Sequence, residues 1–230
     1  PRLINTNGWL AAPRSAISLY PRVWFFAVWV AILVVGCAVR SRDVVSYHAF
    51  NYPVPLKDSP APIPGTLMVY RFLLAPRVNT DFLVVSQGKG KQESVPYHRW
   101  DENPADMITD LIERDLARAG LFERTVGQFS TVRYRYALEG KILELRGVTG
   151  DGKPRAVIEV ETALIDFGAP LGAQKNVMER RYRIEIPCKD SSPTAIVEGL
   201  NRAVREVSVR LRDDLRSTLA DKISSKPQQV

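Results

Sequence analysis

The stretches VRYRYALEGKI (residues 132–142) and AVIEVETALIDF (residues 156–167) decide the fold, because apolar and polar side chains alternate along both. A period of two predicts β-strands that place one face in a core and the other in water. The glycines of the turn Gly150-Asp-Gly152 join the two stretches tightly, and a looser connection leads to a third alternating stretch at 177–187. The sequence therefore predicts an antiparallel meander.

Shorter strands and two helices are predicted on either side of this meander. Apolar runs at 67–74 and 82–86 are typical of strands, and a third strand is predicted at 93–98, after the turn at 87–91. One helix is predicted to begin at Asn103-Pro104 and the other at Ser192-Pro193, because each site offers a polar cap followed by proline. Apolar residues follow at helical spacing in both. The predicted fold class is α+β: an antiparallel sheet of about six strands, with two amphipathic helices packed on one face.

The first forty residues predict a lipoprotein signal peptide. Arg22 precedes an apolar run of thirteen residues, 23–35, which as a helix covers about 20 Å and is short for a membrane span. The run ends in Val34-Val35-Gly36-Cys37, which has the form of a bacterial lipobox. We therefore expect cleavage after residue 36 and lipid on Cys37. The alternative is an uncleaved signal anchor in which Cys37 has no special role.

The rest of the chain divides by composition. Residues 37–65 contain the lipidated cysteine and a proline-rich tether, with one short strand expected around Tyr47–Tyr52. Residues 66–223 are predicted to form the α+β domain, and residues 224–230 a polar tail. No internal repeat is apparent.

The charge distribution does not indicate nucleic-acid binding. Of the formal charge of +7, three units come from Arg2, Arg14 and Arg22 in the predicted signal peptide, which leaves +4 for the remainder. Because 25 carboxylates are interspersed with the basic residues, no dominant positive field is expected.

No catalytic, cofactor or metal motif is visible in the sequence. The two histidines, His48 and His98, belong to no metal-binding or triad pattern. Gly88-Lys-Gly-Lys91 lacks the spacing of a phosphate-binding loop and is interpreted as a turn. If Cys37 carries lipid, Cys188 has no disulfide partner in the chain and is best explained as a small buried residue. We therefore predict a binding or scaffolding protein and no enzyme. A deep pocket containing His98 or Cys188 would favour a membrane-tethered hydrolase instead.

Tyr97-His-Arg-Trp100 is the densest aromatic and basic cluster of the predicted domain. Because tyrosine, tryptophan and arginine dominate interface hot spots, Tyr97, Arg99 and Trp100 are candidate partner-binding residues. The competing interpretation places Trp100 in the core over the start of the helix, with Arg99 paired to Glu102.

The order of these features resembles a known family, the auxiliary lipoproteins of ABC-type transport systems, PqiC-like and associated with MCE-domain proteins. The resemblance covers residues 37–220 and rests on the lipobox, on Tyr47-His-Ala-Phe-Asn-Tyr52, and on the element Tyr97-His-Arg-Trp100 leading into Asn103-Pro104. The helix that follows ends in Ala119-Gly-Leu-Phe122, as in the family.

The resemblance implies a non-enzymatic periplasmic subunit that works with an MCE-domain protein and an inner-membrane ABC transporter to move phospholipid or another lipid. It also implies a compact α+β fold and, from ring-shaped relatives, a homo-oligomer. Ala38 after the lipidated cysteine favours the outer membrane under enterobacterial sorting rules. An alternative function is an outer-membrane lipoprotein that activates an envelope enzyme, such as a peptidoglycan synthase.

Overall fold

The computed structural model describes residues 44–54, 61–87, 91–150, 152–168 and 175–224, with side chains up to residue 220. This part of the chain contains nine strands, two α-helices and a short 3-10 turn at Pro76–Val78. The strands are β1 (Ser46–His48), β2 (Ile63–Val69), β3 (Leu73–Leu74), β4 (Phe82–Ser86), β5 (Gln92–Trp100), β6 (Phe122–Gly127), β7 (Tyr136–Val148), β8 (Arg155–Asp166) and β9 (Lys175–Pro187). The helices are α1 (Pro104–Ala119) and α2 (Pro193–Ser224). The predicted α+β class is confirmed.

The predicted meander is present as β7, β8 and β9, which pair antiparallel in chain order. The other edge of β7 differs from the prediction, because β2, β3 and β4 follow one another along it and all three are parallel to it. The predicted strand at 67–74 is divided into β2 and β3. The sheet therefore has nine described strands and is mixed, rather than about six and antiparallel, because alternation marks a strand without giving its direction.

Beyond β7 the sheet divides into two branches. In the first, β6 lies parallel to β2. In the second, β5 lies antiparallel to β4, and β1 lies parallel to β5. Strands β1 and β6 therefore end the two branches at opposite limits of the sheet order.

Both helices pack on one face of the sheet, as predicted. Helix α1 begins where the sequence indicates, since Asn103 Oδ1 accepts a hydrogen bond of 2.9 Å from the Ala105 amide. It ends at Gly120, whose φ of 63° suits a residue without a Cβ. Helix α2 buries a continuous apolar stripe against β8 and β9, made of Ile196, Leu200, Ala203, Val204, Val207, Leu211, Leu215 and Leu219.

Gly140 in β7 gives the clearest packing prediction of the core. A Cβ at this position would lie 2.5–2.6 Å from ring carbons of Phe72, which is itself 1% exposed. We expect Gly140→Ala to lower the free energy of unfolding by about 1–3 kcal/mol, because the ring has no space to move into. Urea denaturation measures this. In the double variant with Phe72→Leu the two losses should be less than additive, and full additivity would show that the two residues do not conflict.

Residues that the sequence analysis assigned to the tether are packed on the domain. Strand β1 pairs with β5, and Phe50 and Tyr52 are buried. The predicted signal peptide, Cys37 and the tail after Ser224 lie outside the described residues. Among the helices that the structure describes, none combines the length and the apolar character needed to cross a membrane.

Candidate functional site

Trp100 lies in the core and helps to hold residues 46–52, which we call the N-terminal segment. Its side chain is 5% exposed, and its ring stacks on that of Phe50 with the centroids 4.6 Å apart. The Trp100 amide donates a hydrogen bond of 2.8 Å to the carbonyl of Asp81. Trp100 is the last residue of β5, and α1 begins four residues later at Pro104.

The other two predicted partner-binding residues reach the surface. The guanidinium of Arg99 donates to the Asp81 carboxylate and lies over the Phe82 ring at 4.1 Å, so the partner expected from sequence, Glu102, is not the one found. Strand pairing explains this, because Phe82 is opposite Arg99 in the β4–β5 register. Tyr97 is 47% exposed and has a φ of 61°, a conformation that L-residues rarely adopt.

The two histidines of the chain meet across β1 and β5. His48 Nε2 and His98 Nδ1 are 2.9 Å apart, so one ring donates to the other through an N–H···N hydrogen bond. The Asp101 amide adds a hydrogen bond of 2.8 Å to the His48 carbonyl. These contacts fix β1 on β5. Burial lowers the pKa of His48 below its ordinary 6.5, and the charge of His98 lowers it further.

The attachment of β1 is expected to weaken with acid. A histidine whose pKa is lower in the folded state contributes stability above its unfolded pKa, and this contribution is lost as the pH falls. For His48 the loss of stability is expected to begin below about pH 6.5, the ordinary pKa of histidine. Amide hydrogen-exchange protection of residues 46–48 should therefore fall from pH 7.5 to pH 5.5 relative to β8. In His48→Gln this relative loss should vanish, and an unchanged pH dependence in the variant would refute the assignment.

A buried carboxylate ties the N-terminal segment to both helices. Asp115 Oδ2 accepts hydrogen bonds of 2.8 Å from the hydroxyls of Tyr52 and Ser208, and Oδ1 accepts 2.8 Å and 3.0 Å bonds from Arg114. Burial and the nearby Asp115 charge raise the pKa of Tyr52 far above its ordinary value, so the hydroxyl stays a donor. Residues 50–52 are therefore a fixed part of the domain.

A groove of about 780 Å³ crosses β7, β8 and β9 beside β3, mostly on the sheet face opposite the helices, although Arg180 in its lining lies 3.7 Å from Asp214 of α2. We call it the outer-face groove; its lining residues are Tyr70, Arg71, Leu73, Glu139, Gly140, Lys141, Glu161, Thr162, Ala163, Glu179, Arg180 and Arg181. Leu73 is 65% exposed, although it belongs to a strand. Charged residues of both signs surround it, as in an interface with an apolar centre and a polar rim.

Arginines next to the groove are paired with carboxylates. Arg183 donates to Glu144 at 2.6 Å, to Glu159 at 2.9 Å and to Glu185 at 3.0 Å, and Arg181 donates to Glu159. Burial alone would raise the pKa of the Glu159 carboxyl, but these arginines hold it below its ordinary value. The face is therefore a network of ion pairs rather than a basic surface.

Metal-binding and thiol chemistry find little support in the described residues. Within these ranges no group of three or more histidine, cysteine or acidic side chains is arranged to hold a metal ion. The Cys188 thiol is buried, its pKa is raised by that burial, and it lies 3.7 Å from the carbonyl oxygen of Ile186. Neither Cys188 nor His98 lines the outer-face groove.

Sequence reasoning missed three features: the histidine pair, the Asp115 network and the outer-face groove. His48 and His98 are 50 positions apart, and Asp115 and Ser208 are 93 positions apart, so no local pattern links them. The groove depends on the parallel alignment of β3 with β7, which alternation does not encode. The aromatic segment Tyr47–Tyr52 was the one available sign that residues before the predicted domain boundary pack on it.

Comparison with models of known families identifies one family for this chain. Residues 50–226 match the family model described as "ABC-type transport auxiliary lipoprotein component". A crystal structure of a Xanthomonas campestris protein shares 18% identity over 78% of this chain and 99% of its own, with a TM-score of 0.67. The crystal structure of an uncharacterized protein shares 14% identity over 75% and 99%, with a TM-score of 0.57. These two similarities concern the fold alone. Among curated proteins, no sequence matches significantly.

Proposed function

Because this chain belongs to the family of ABC-type transport auxiliary lipoprotein components, we propose that it is the membrane-anchored periplasmic subunit of an MCE/ABC-type lipid transport system. Its partners are an MCE-domain protein and the ABC transporter subunits. In this role it docks and positions other components and performs no catalysis. Cys37 carries the lipid that anchors it, and residues 1–36 are removed as a signal peptide.

The observation that carries the proposal is the extent of the family match. It covers residues 50–226 and so spans the described domain from the buried Phe50 to the end of α2. The match includes residues 50–52, the segment held by Trp100 and Asp115. A docked segment of this kind is useful to an anchored subunit, because it transmits the position of the anchor to the domain.

The described surface supports binding rather than turnover. The outer-face groove is lined by Leu73 and by polar and charged side chains, of which Arg71, Arg180, Arg181 and Glu161 are ion-paired, and the buried thiol of Cys188 lies elsewhere. A nucleophile next to a base and an oxyanion site would be expected of a hydrolase. We propose that a protein partner inserts an apolar side chain beside Leu73, while the surrounding charges select it.

Location and assembly extend the proposal. Ala38 favours the outer membrane, facing the periplasm, and ring-shaped assembly of relatives favours a homo-oligomer. Of the predicted partner-binding residues, Tyr97 and Arg99 lie at the surface, and Trp100 acts from the core by holding Phe50 in place.

Affinity capture tests the proposal. The tagged full chain is purified from gently solubilised membranes, and co-purifying proteins are identified by mass spectrometry. We expect an MCE-domain protein or ABC transporter subunits with the native chain. Leu73→Glu should reduce their recovery, whereas Phe129→Glu should not, although Phe129 is also apolar and is 93% exposed. Capture of a peptidoglycan synthase instead would favour the alternative, an activator of an envelope enzyme.

The anchor is tested separately by the intact mass of the membrane-extracted protein. A lipidated chain that starts at Cys37 has lost residues 1–36 and gained the mass of its acyl groups. A chain that retains residues 23–36 and carries no acyl mass would establish the alternative signal anchor. This outcome changes the type of anchor and leaves the docking function to be decided by the capture experiment.

A further inference from the structure

The surface around β1 exposes three large side chains with apolar character. Tyr47 is 62% exposed, Tyr97 is 47% exposed and Val45 is 39% exposed. We call these three residues the β1 surface. They come from two segments of the chain about fifty residues apart, so they are not one frayed end.

Strand pairing brings the three residues together. In the parallel β1–β5 register, Ser46 is opposite His98 and Tyr47 is opposite Arg99, which places Val45 level with Tyr97. The adjacent residues His48, Phe50 and Trp100 are packed inward. The β1 surface is therefore the outward side of a strand pair whose inner side is occupied.

This surface is rigidly part of the domain. The His48–His98 hydrogen bond holds β1 on β5, and the buried side chains of Phe50 and Tyr52 hold the residues that follow. Any contact made by Tyr47 and Tyr97 is consequently transmitted to the folded domain.

The length of chain before β1 limits what the surface can face. Seven residues separate Cys37 from Val45, and fully extended they reach at most about 28 Å. A small domain is about 30 Å across, so little room remains for another protein between the anchor and β1. This stretch contains Arg40, Arg42 and Asp43, and its net charge of +1 is compatible with an anionic lipid surface. Tyrosine suits that environment, because its ring packs among acyl chains while its hydroxyl stays in water.

We propose that the β1 surface lies against the bilayer in which the chain is anchored, with Val45, Tyr47 and Tyr97 in the interfacial region of the lipid. This inference rests on the N-terminal anchor of the proposed function, and holds equally for lipid on Cys37 or for an uncleaved segment at 23–39. It assigns the membrane a role in orienting the domain: the branch containing β1 faces the bilayer, and the branch that ends in β6 points away.

Depth-dependent fluorescence quenching tests this orientation. The full chain is held by its own anchor in nanodiscs of phosphatidylethanolamine and phosphatidylglycerol, in a Cys188→Ala background. The signal of this background without an introduced cysteine is subtracted, because Cys37 keeps a reactive thiol if it carries no lipid. A fluorophore is attached through Tyr47→Cys, Tyr97→Cys or Phe129→Cys, and a nitroxide is carried on the lipid near the headgroup. Phe129 is the matched control, because it is an exposed aromatic residue that follows β6 at the other limit of the sheet order.

We expect quenching at positions 47 and 97 to be roughly threefold stronger than at 129, since interfacial insertion brings groups about 5–10 Å into the headgroup boundary. Equal quenching at all three positions, with the protein still bound to the nanodisc, would overturn the orientation and leave the proposed function intact. Fluorescence that shifts to the blue without quenching would also overturn it, because the surface would then be covered by protein. Failure of the chain to remain in the nanodisc would reject the anchor, and both proposals with it.

Discussion

Replacing Trp100 with alanine is expected to lower the free energy of unfolding by about 3–5 kcal/mol, the range for removing a buried tryptophan. The ring is 5% exposed and stacks on Phe50, so its loss leaves a cavity between the end of β5 and the N-terminal segment. Denaturant titration followed by circular dichroism measures the loss. Protection of residues 46–52 from hydrogen exchange should decrease more than that of β8.

Tyr97→Ala is the control for this prediction. It lies three positions earlier in the same strand, is half exposed, and has a φ of 61°. We expect its effect on the free energy of unfolding to stay within about 0.5 kcal/mol, as for most surface substitutions. A Trp100→Ala protein with unchanged stability but reduced partner recovery would instead assign Trp100 directly to an interface.

Asp115→Ala is expected to lower the free energy of unfolding by about 3 kcal/mol, the second largest effect that we predict. The side chain is buried and accepts hydrogen bonds from Tyr52, Ser208 and Arg114. Its removal leaves two buried hydroxyls without their acceptor and a guanidinium without its counter-charge, and unpaired buried groups are costly. Thermal unfolding measures the loss.

Tyr52→Phe and Ser208→Ala are the matched controls for the Asp115 network. Each substitution removes one donor and leaves the carboxylate its remaining partners. Each should therefore lower the free energy of unfolding by about 1 kcal/mol. If Asp115→Ala cost no more than either control, the carboxylate would not organise the network. In Asp115→Ala the Tyr52 ring should also become more exposed to solvent, because its hydroxyl has lost its acceptor. A change in tyrosine fluorescence would detect this exposure.

The helices and the meander followed from local chemistry. Asn103, Pro104 and Gly120 gave the limits of α1 because caps and breakers act within one turn. Alternation at 156–167 and 177–187 identified β8 and β9. Strand β9 alternates between buried and exposed positions, whereas β8 is buried or half-buried along its whole length although polar side chains alternate along it. These predictions required no knowledge of distant contacts.

The mixed character of the sheet did not follow from the sequence. The chain from β2 to β4 runs parallel to β7, and such pairing depends on contacts between residues about 60 to 70 positions apart. Strand β6 was missed because Phe122–Gly127 has too few apolar residues to show alternation. The same dependence on long-range pairing concealed the histidine pair and the outer-face groove.

The sequence could offer only alternatives for the Tyr97–Trp100 cluster. Its composition fits both a core plug and an interface, because tryptophan and tyrosine are common in each. Burial distinguishes the residues individually: Trp100 is internal, Arg99 is paired with Asp81, and Tyr97 is exposed. A cluster that looked uniform in sequence thus contains one structural residue and two surface residues.

The most direct test of the proposed role is photo-crosslinking in living cells from position 73, in the outer-face groove. A photoreactive phenylalanine analogue is incorporated at Leu73 and, as the control, at Phe129, and adducts are identified by mass spectrometry after irradiation. If the outer-face groove binds the partner, position 73 forms an adduct with an MCE-domain protein or an ABC transporter subunit, and position 129 forms none. An adduct with a cell-wall synthase at position 73, or no adduct from that position, would contradict it.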